Sequence, residues 1–392
     1  MTNETPDWDP EILRPFAERM DLYDDLRQRC PVALSKDGRT GRRVWSLMRH
    51  ADIQSAVRDT DRFSNGKRLR LDGRRPPLES DPPEHTRFRR ILQSFFTPKR
   101  MEAFRPVSEA LADDLLATVH ASGGGDLAVE VARPLPAQVL LTLLGQPKED
   151  WEAIKSWSDD LRPQSLDDDA QTAVRASDAN LWSYSRAVIA DRQASPRPID
   201  SDPVSALLAG GADREPLDPD LVTGTVRLLL AAGHDSTTQA IGICLHHLAT
   251  TPEDQATLRA DPAMIRAAVE EMLRLRTPIV AMPRIVAQDT DLGGRILGAG
   301  DRVMLNWASA NRDPAAFDRP GECVLDRRPN PHMVFGSGIH TCIGAPLARQ
   351  EIHVVLERLL AATTSFTLDG EPAIARMQHF GYTSLPVRLE AL

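Results

Sequence analysis

Apolar residues recur at helical spacing through most of the chain from Glu84 onward, with polar positions between them. This period predicts helices over 84–96, 100–121, 135–144, 149–161 and 168–193, divided by Pro98, Gly123–Gly125, Gly145 with Pro147, and Pro196 with Pro198. Leu217–Leu248 is the longest helical stretch, with Asp218 as N-cap and Pro219 at the first helical position. About 30 residues at a rise of ~1.5 Å give a rod of roughly 45 Å. Its middle, Leu228–Ala232, is apolar all round, the pattern of a helix buried on every side. Asp261-Pro262 opens another helix that runs to Arg276, and Pro346 to Thr363 forms a last amphipathic one. Shorter helices are predicted over Asp21–Arg29 and Ala51–Arg58.

Strand-like segments are few and lie towards the two ends. They are Val32–Leu34 and Arg43–Leu47 around Asp37-Gly38, then Arg284–Ala287, Arg295–Leu297 and Val303–Leu305, with Gly293-Gly294 between the first two of these. Phe366–Leu368 and Pro386–Leu389 read as terminal strands. Asn65–Pro83 reads as a long loop and Asn311–Pro331 as a proline-rich irregular coil. The expected fold is mainly α with a minor β lobe. The glycines at 123–125 and the segment 195–203 fit turns as well as linkers, so residues 1–392 are read as one domain.

Net charge of −9 over 392 residues gives no argument for nucleic acid. Cys30, Cys244, Cys323 and Cys342 are scattered, so neither a disulfide framework nor a zinc site follows from their spacing, and a reducing cytoplasm fits. The densest apolar run, Val226–Ala232, contains Arg227 and falls far short of the ~20 residues of a membrane helix. With a polar N-terminus, the expectation is a soluble, cytoplasmic protein with no membrane attachment.

Four constellations carry chemistry. Phe335-Gly336-Ser-Gly338-Ile-His340-Thr-Cys342-Ile-Gly344 opens onto a helix. Its glycines allow a tight loop that holds one thiol beneath a flat ligand, and the helix N-terminus favours the thiolate. In the apolar helix, Ala232-Gly233-His234-Asp235-Ser236-Thr237-Thr238 sets an acid beside hydroxyls, a pairing suited to relaying protons, with Gly233 leaving room for a ligand's approach. Glu271-x-x-Arg274 places an acid and a base one helical turn apart, by itself a common surface pair. His85-x-x-x-Arg89 sets two cationic groups on one helix face, equally readable as a solvated basic helix.

The cysteine stretch closely resembles the haem-binding loop of the cytochrome P450 family, and the other three motifs follow in that family's order. The resemblance implies haem b, iron protoporphyrin IX, held between the long central helix and the helix after the cysteine loop, with Cys342 as the iron ligand. By the same resemblance Phe335, Gly336 and Gly344 shape the loop and Ala232 and Gly233 lie over the haem. His85, Arg89, Arg284 and His340 serve its propionates, and Asp235, Ser236 and Thr237 handle protons. Ser236 departs from the family's usual threonine: it keeps the hydroxyl and loses the methyl. The Glu-x-x-Arg pair is expected to lock onto Arg319 of the coil. The implied activity is insertion of one atom of O2 into a small hydrophobic substrate, by hydroxylation or O-dealkylation. Electrons would come from a separate ferredoxin or flavodoxin and an NAD(P)H-dependent reductase, since no cysteine cluster or G-x-G-x-x-G stretch is present. The rival expectations are a peroxygenase, which Asp235 and its hydroxyls disfavour, and a haem-binding sensor without turnover. Lys67, Arg68, Arg70, Arg74 and Arg75 either form a solvated loop face or include a cation for an acidic substrate.

Overall fold

The structure is a computed structural model that describes residues 5–9, 16–37, 40–66, 73–161, 168–212, 214–375 and 380–392. It opens with α1 (Phe16–Arg29), the hairpin β1 (Val32–Lys36) and β2 (Arg43–Leu47), α2 (His50–Arg58) and the short β3 (Phe63–Ser64). A helical body follows, with α3 (Glu84–Gln93), α4 (Pro98–Ala121), β4 (Gly124–Asp126), α5 (Pro134–Leu143), α6 (Trp151–Asp160), α7 (Asp168–Ala194) and α8 (Pro203–Leu208). It continues through α9 (Pro219–Ala232), α10 (Asp235–Thr250), α11 (Pro252–Ala260) and α12 (Ile265–Leu275). Next come β5 (Ala281–Val286), β6 (Thr290–Leu292), β7 (Arg295–Leu297), β8 (Arg302–Asn306) and the one-turn α13 (Trp307–Ala310). After a coil, α14 (Ala345–Ala362) leads into β9 (Thr363–Leu368), β10 (Ala373–Ile374), β11 (Tyr382–Ser384) and β12 (Pro386–Ala391).

Local chemistry sets many of these boundaries. Thr97 accepts a hydrogen bond from the Arg100 N–H and Pro98 begins α4, while Asp202 and Asp218 cap α8 and α9 in the same way. The largest sheet has the order β1-β2-β8-β5-β3, with β2 and β8 parallel and the other pairs antiparallel. A second sheet places β12 between β4 and β9.

The expected mainly α body with a minor β lobe is therefore present, with local differences. Gly293 and Gly294, both at positive φ, turn the hairpin β6–β7, whereas β5 pairs with β8 through Met282 and Leu305. Three residues are too few for an alternating pattern, so β6 left no trace in the sequence. Glycines 123–125 are not only a turn: at Gly124 a Cβ would lie 2.3 Å from the Val387 carbonyl oxygen, and that close approach makes strand β4.

The long helix expected over 217–248 is two helices, interrupted at Gly233-His234. A Cβ at Gly233 would meet the Leu229 carbonyl oxygen at 2.8 Å and a Leu140 methyl at 2.9 Å, so only glycine fits there. His234 leaves helical geometry (φ −125, ψ −38), and its buried ring bonds to Ser158 of α6 at 3.2 Å. A break of this kind exposes the first turn of a new helix, with amides that have no partner inside it. Below the break, α10 is buried on almost every side and packs against α5, α12 and α14.

Candidate active site

An interior cavity of about 270 Å³ lies between the α9–α10 break and the cysteine loop. One wall carries Leu228, Leu229, Ala232 and Gly233 of α9 with Ser236, Thr237 and Ala240 of α10. The facing wall carries Phe335, Gly336, His340, Cys342 and Gly344, then Leu347, Ala348, Glu351 and Ile352 of α14. Pro77, Leu78, Ile279 and Met282 add apolar surface. The Phe380 ring packs edge-on against Phe16, with centroids 4.8 Å apart.

The cysteine loop is tied at both ends of its turn. The Cys342 N–H donates to the Phe335 carbonyl oxygen at 2.7 Å, and Gly336 and Gly338 take φ of 70 and 72. At Gly338 a Cβ would come within 2.6 Å of the Val57 carbonyl oxygen, so the loop seats directly on α2. Gly344 needs no positive φ (−82); a Cβ there would lie 3.9 Å from the Cys342 sulfur, on the cavity side. Cys342 is accessible through this interior cavity, whereas Cys244 is fully buried in the core.

The sulfur has backbone N–H donors from Gly344 and Ala345 and lies in the field of Arg89 and Arg349. Burial nevertheless pushes the Cys342 thiol above its ordinary range, and these groups oppose it without reversing it. The expected thiolate preference from the helix N-terminus alone is thus outweighed by desolvation. A thiolate here calls for a metal cation beside it.

One edge of the cavity gathers polar side chains. Arg89, Arg284 and His340 line it, and the His85 ring lies 4.5 Å from that of His340. His85 Nε2 is buried without a partner. Burial, with Arg89 second, lowers the pKa of His85, so without an anion beside it the ring favours its neutral form. Guanidinium groups around an orphaned ring nitrogen fit the carboxylates of a flat cofactor.

Asp235 is buried but is not part of the cavity wall, where Ser236 and Thr237 lie. Its Oδ1 accepts from Lys155 Nζ at 3.0 Å. Lys155 also pairs with Asp159, and Asp159 with half-exposed Arg133 at 2.9 Å, so a chain of charges runs from the helix break outwards. Lys155 was not singled out from the sequence; a lysine on the buried face of an amphipathic helix was the available signal. Glu351 was missed as well. It is a buried acid among apolar neighbours on α14, one of its oxygens has no partner, and burial raises its pKa well above the ordinary value.

Behind the loop, Glu271 and Arg274 are wholly buried and joined by two hydrogen bonds of 2.7 and 2.8 Å. Arg274 donates to the carbonyl oxygens of Asn311, Pro320 and Glu322, and Glu271 accepts from the Val324 N–H. The arginine that completes the cluster is Arg327, at 2.9 and 3.0 Å from the Glu271 oxygens, and not Arg319. Arg319 is exposed, at φ 44, and paired with Glu322. Its Phe-Asp-Arg-Pro setting drew attention, yet the coil turns it outwards and brings Arg327 back over α12. A neighbouring cluster joins Arg349 and His332 to Glu270, and the Arg349 guanidinium lies over the Phe335 ring at 4.2 Å.

Of the loop cations, Lys67, Arg68 and Arg70 lie outside the described residues. Arg74 forms a bidentate pair with Glu84 and Arg75 is bonded to Glu79, so the two described cations are matched by nearby acids of the chain.

A thiol lining an interior cavity, cationic groups at one edge and hydroxyls beside the helix break are compatible in chemistry with a haem-thiolate type of site. The cytochrome P450 family model matches residues 166–387. The chain is 33% identical over 374 residues to "Putative cytochrome P450 YjiB" of Bacillus subtilis (strain 168), covering 94% of this chain and 93% of that one. It is 34% identical over 381 residues to the erythromycin C-12 hydroxylase of Saccharopolyspora erythraea, with 94% and 92% covered. Among solved structures it is similar to CYP109E1 from Bacillus megaterium in complex with testosterone, with a TM-score of 0.85, 28% identity, and 96% and 99% of the two chains covered. The chain belongs to the cytochrome P450 family. It is an oxidoreductase of the monooxygenase type, and the family implies a haem-iron cofactor. No helix among the described residues is long and apolar enough to cross a membrane.

Proposed function

We propose that the chain, acting as one domain, is a haem b monooxygenase that oxidises a neutral, largely apolar organic molecule with electrons from separate proteins. The observation that carries this is the cavity-facing thiol of Cys342, set opposite the helix break that is followed by Ser236 and Thr237. Cys342 would hold the iron, and Phe335, Gly336 and Gly344 would shape the loop around it. His85, Arg89, Arg284 and His340 would take the propionates. When bound, the haem supplies reversible iron redox chemistry and activation of O2, with the thiolate favouring O–O cleavage.

The chain's own residues do the rest. The small side chain of Ala232 leaves the space above the cofactor open, while Gly233 lets Leu140 pack against the helix break beside it. Ser236 and Thr237 present hydroxyls to that space. Asp235 stands behind them and passes protons along, resupplied through Lys155 and Asp159, with Arg133 holding Asp159 at the outer end. Leu78, Leu228, Leu229, Ile279 and Met282 favour an apolar body, in keeping with relatives named for erythromycin and complexed with testosterone. The pairing of Arg74 and Arg75 within the chain favours a neutral substrate over a carboxylic acid.

The test is turnover under 18O2 with NADH and a surrogate ferredoxin and its reductase, against a panel of macrolides and steroids. One 18O atom in the product is expected. Product formed from hydrogen peroxide alone, with none from the reductase system, would favour the peroxygenase. Absence of product from any donor, with spectral binding intact, would favour a sensor.

A further inference from the structure

We propose that His247, Asp254 and Cys323 form a binding site for a borderline-soft divalent cation such as Zn²⁺, separate from the haem cavity. The three residues come from three segments: the last turn of α10, the first turn of α11, and the coil that leads to the cysteine loop. One ring nitrogen of His247, one carboxylate oxygen of Asp254 and the Cys323 sulfur lie within 4.8 Å of one another. None of them lines the haem cavity. All three are partly exposed, so an ion and a completing water have access from solvent.

Chemistry selects the ion. A mixed nitrogen, oxygen and sulfur donor set suits Zn²⁺ and its neighbours, whereas Mg²⁺ and Ca²⁺ take oxygen ligands. Ligands at roughly 2.0–2.3 Å from a tetrahedral ion stand roughly 3.3–3.8 Å apart, so side-chain rotation of about 1 Å closes the set. His247 Nε2 and Asp254 Oδ2 stand 2.6 Å apart in a hydrogen bond, so an ion entering there would release the shared proton and spread these two atoms by about 1 Å. The backbone around the third is fixed on both sides, because the Glu322 carbonyl oxygen accepts from Arg274 and the Val324 N–H donates to Glu271. An ion here would clip the coil to the ends of α10 and α11, behind the loop that carries Cys342.

The experiment uses haem-loaded protein stripped with a chelator, equilibrated with Zn²⁺ and analysed for zinc per haem by mass spectrometry. In parallel, the rate at which iodoacetamide alkylates Cys323 is followed by peptide mapping. One Zn²⁺ per chain is expected, with alkylation of Cys323 slowed at least about tenfold. Cys323→Ser, His247→Gln and Asp254→Asn should each weaken zinc binding by more than about tenfold. Their reduced carbon monoxide spectra should stay those of the parent, showing that the haem site is folded. Zinc content unchanged in all three variants would overturn the site by locating the ion elsewhere. No zinc on the parent protein would overturn it too, leaving His247 and Asp254 as a plain hydrogen-bonded pair between helices.

Discussion

Asp235 and Glu351 are both buried acids close to the same cavity, and their surroundings differ. Asp235 is ion-paired to Lys155, whereas Glu351 has an oxygen without a partner and burial raises its pKa well above the ordinary value. The consequences separate cleanly. Asp235→Asn keeps shape and removes the charge, so haem content should hold while turnover drops by about 10²–10⁴, measured as product per haem. Glu351 acts on stability instead. A carboxyl whose folded pKa lies above its unfolded value contributes stability that is full below about pH 4.5 and is lost as pH rises towards the folded value. Glu351→Gln removes that dependence. Its stability advantage over the parent should grow from pH 5 to 8 by up to about 1.4 kcal/mol per unit, read from denaturant midpoints. A constant difference across that range would show that Glu351 finds a partner.

At the scale of elements, two acidic side chains of α12 hold the coil and the helix that flank the cysteine loop. Burial pushes Glu270 up, but Arg349 and His332 outweigh it and hold the carboxyl at about 2. A depressed carboxyl stabilises above its unfolded pKa, near 4.5, and that stability is lost as pH falls through about 2. Glu270→Gln should therefore cost on the order of 3 kcal/mol at neutral pH and flatten acid unfolding between pH 4.5 and 2. Glu271 and Arg274, both wholly buried, are joined by the partly buried Arg327 and the Val324 N–H. Arg327→Ala should cost about 3–5 kcal/mol and lower haem retention, whereas Arg319→Ala should leave both unchanged, as measured by thermal unfolding and haem-to-protein ratio.

These clusters also mark what the sequence made legible. The Glu-x-x-Arg spacing pointed to α12, but the partner lay across an irregular coil whose path no periodicity encodes, so Arg319 was expected where Arg327 stands. Most helix boundaries were readable to within a few residues because caps and prolines fix them, as at Thr97-Pro98 and Asp218-Pro219. The interruption at Gly233-His234 was not readable. It depends on Leu140 crowding the glycine and Ser158 drawing the histidine away, both contacts between distant segments. Lys155 and Glu351 escaped for the same reason: burial and partners belong to the packing.

For the whole molecule, a net charge of −9 coexists with arginines and Lys99 around α3 and the start of α4. Some of that charge is matched, since Arg87 pairs with Glu215 at 3.1 Å and Arg100 lies over the Phe95 ring. If an acidic electron donor docks there, its rate of haem reduction should fall as salt rises from 50 to 500 mM, because exposed charge pairs are screened over about a Debye length. A flat salt profile would point to an apolar docking surface.

The proposed function rests on one bond, between Cys342 and the iron. Reduced protein exposed to carbon monoxide should give the red-shifted Soret band peculiar to thiolate ligation, and Cys342→Ala should lose that band while the parent keeps it. A thiolate-type band that survives in Cys342→Ala would contradict the central claim, because another group would then hold the iron.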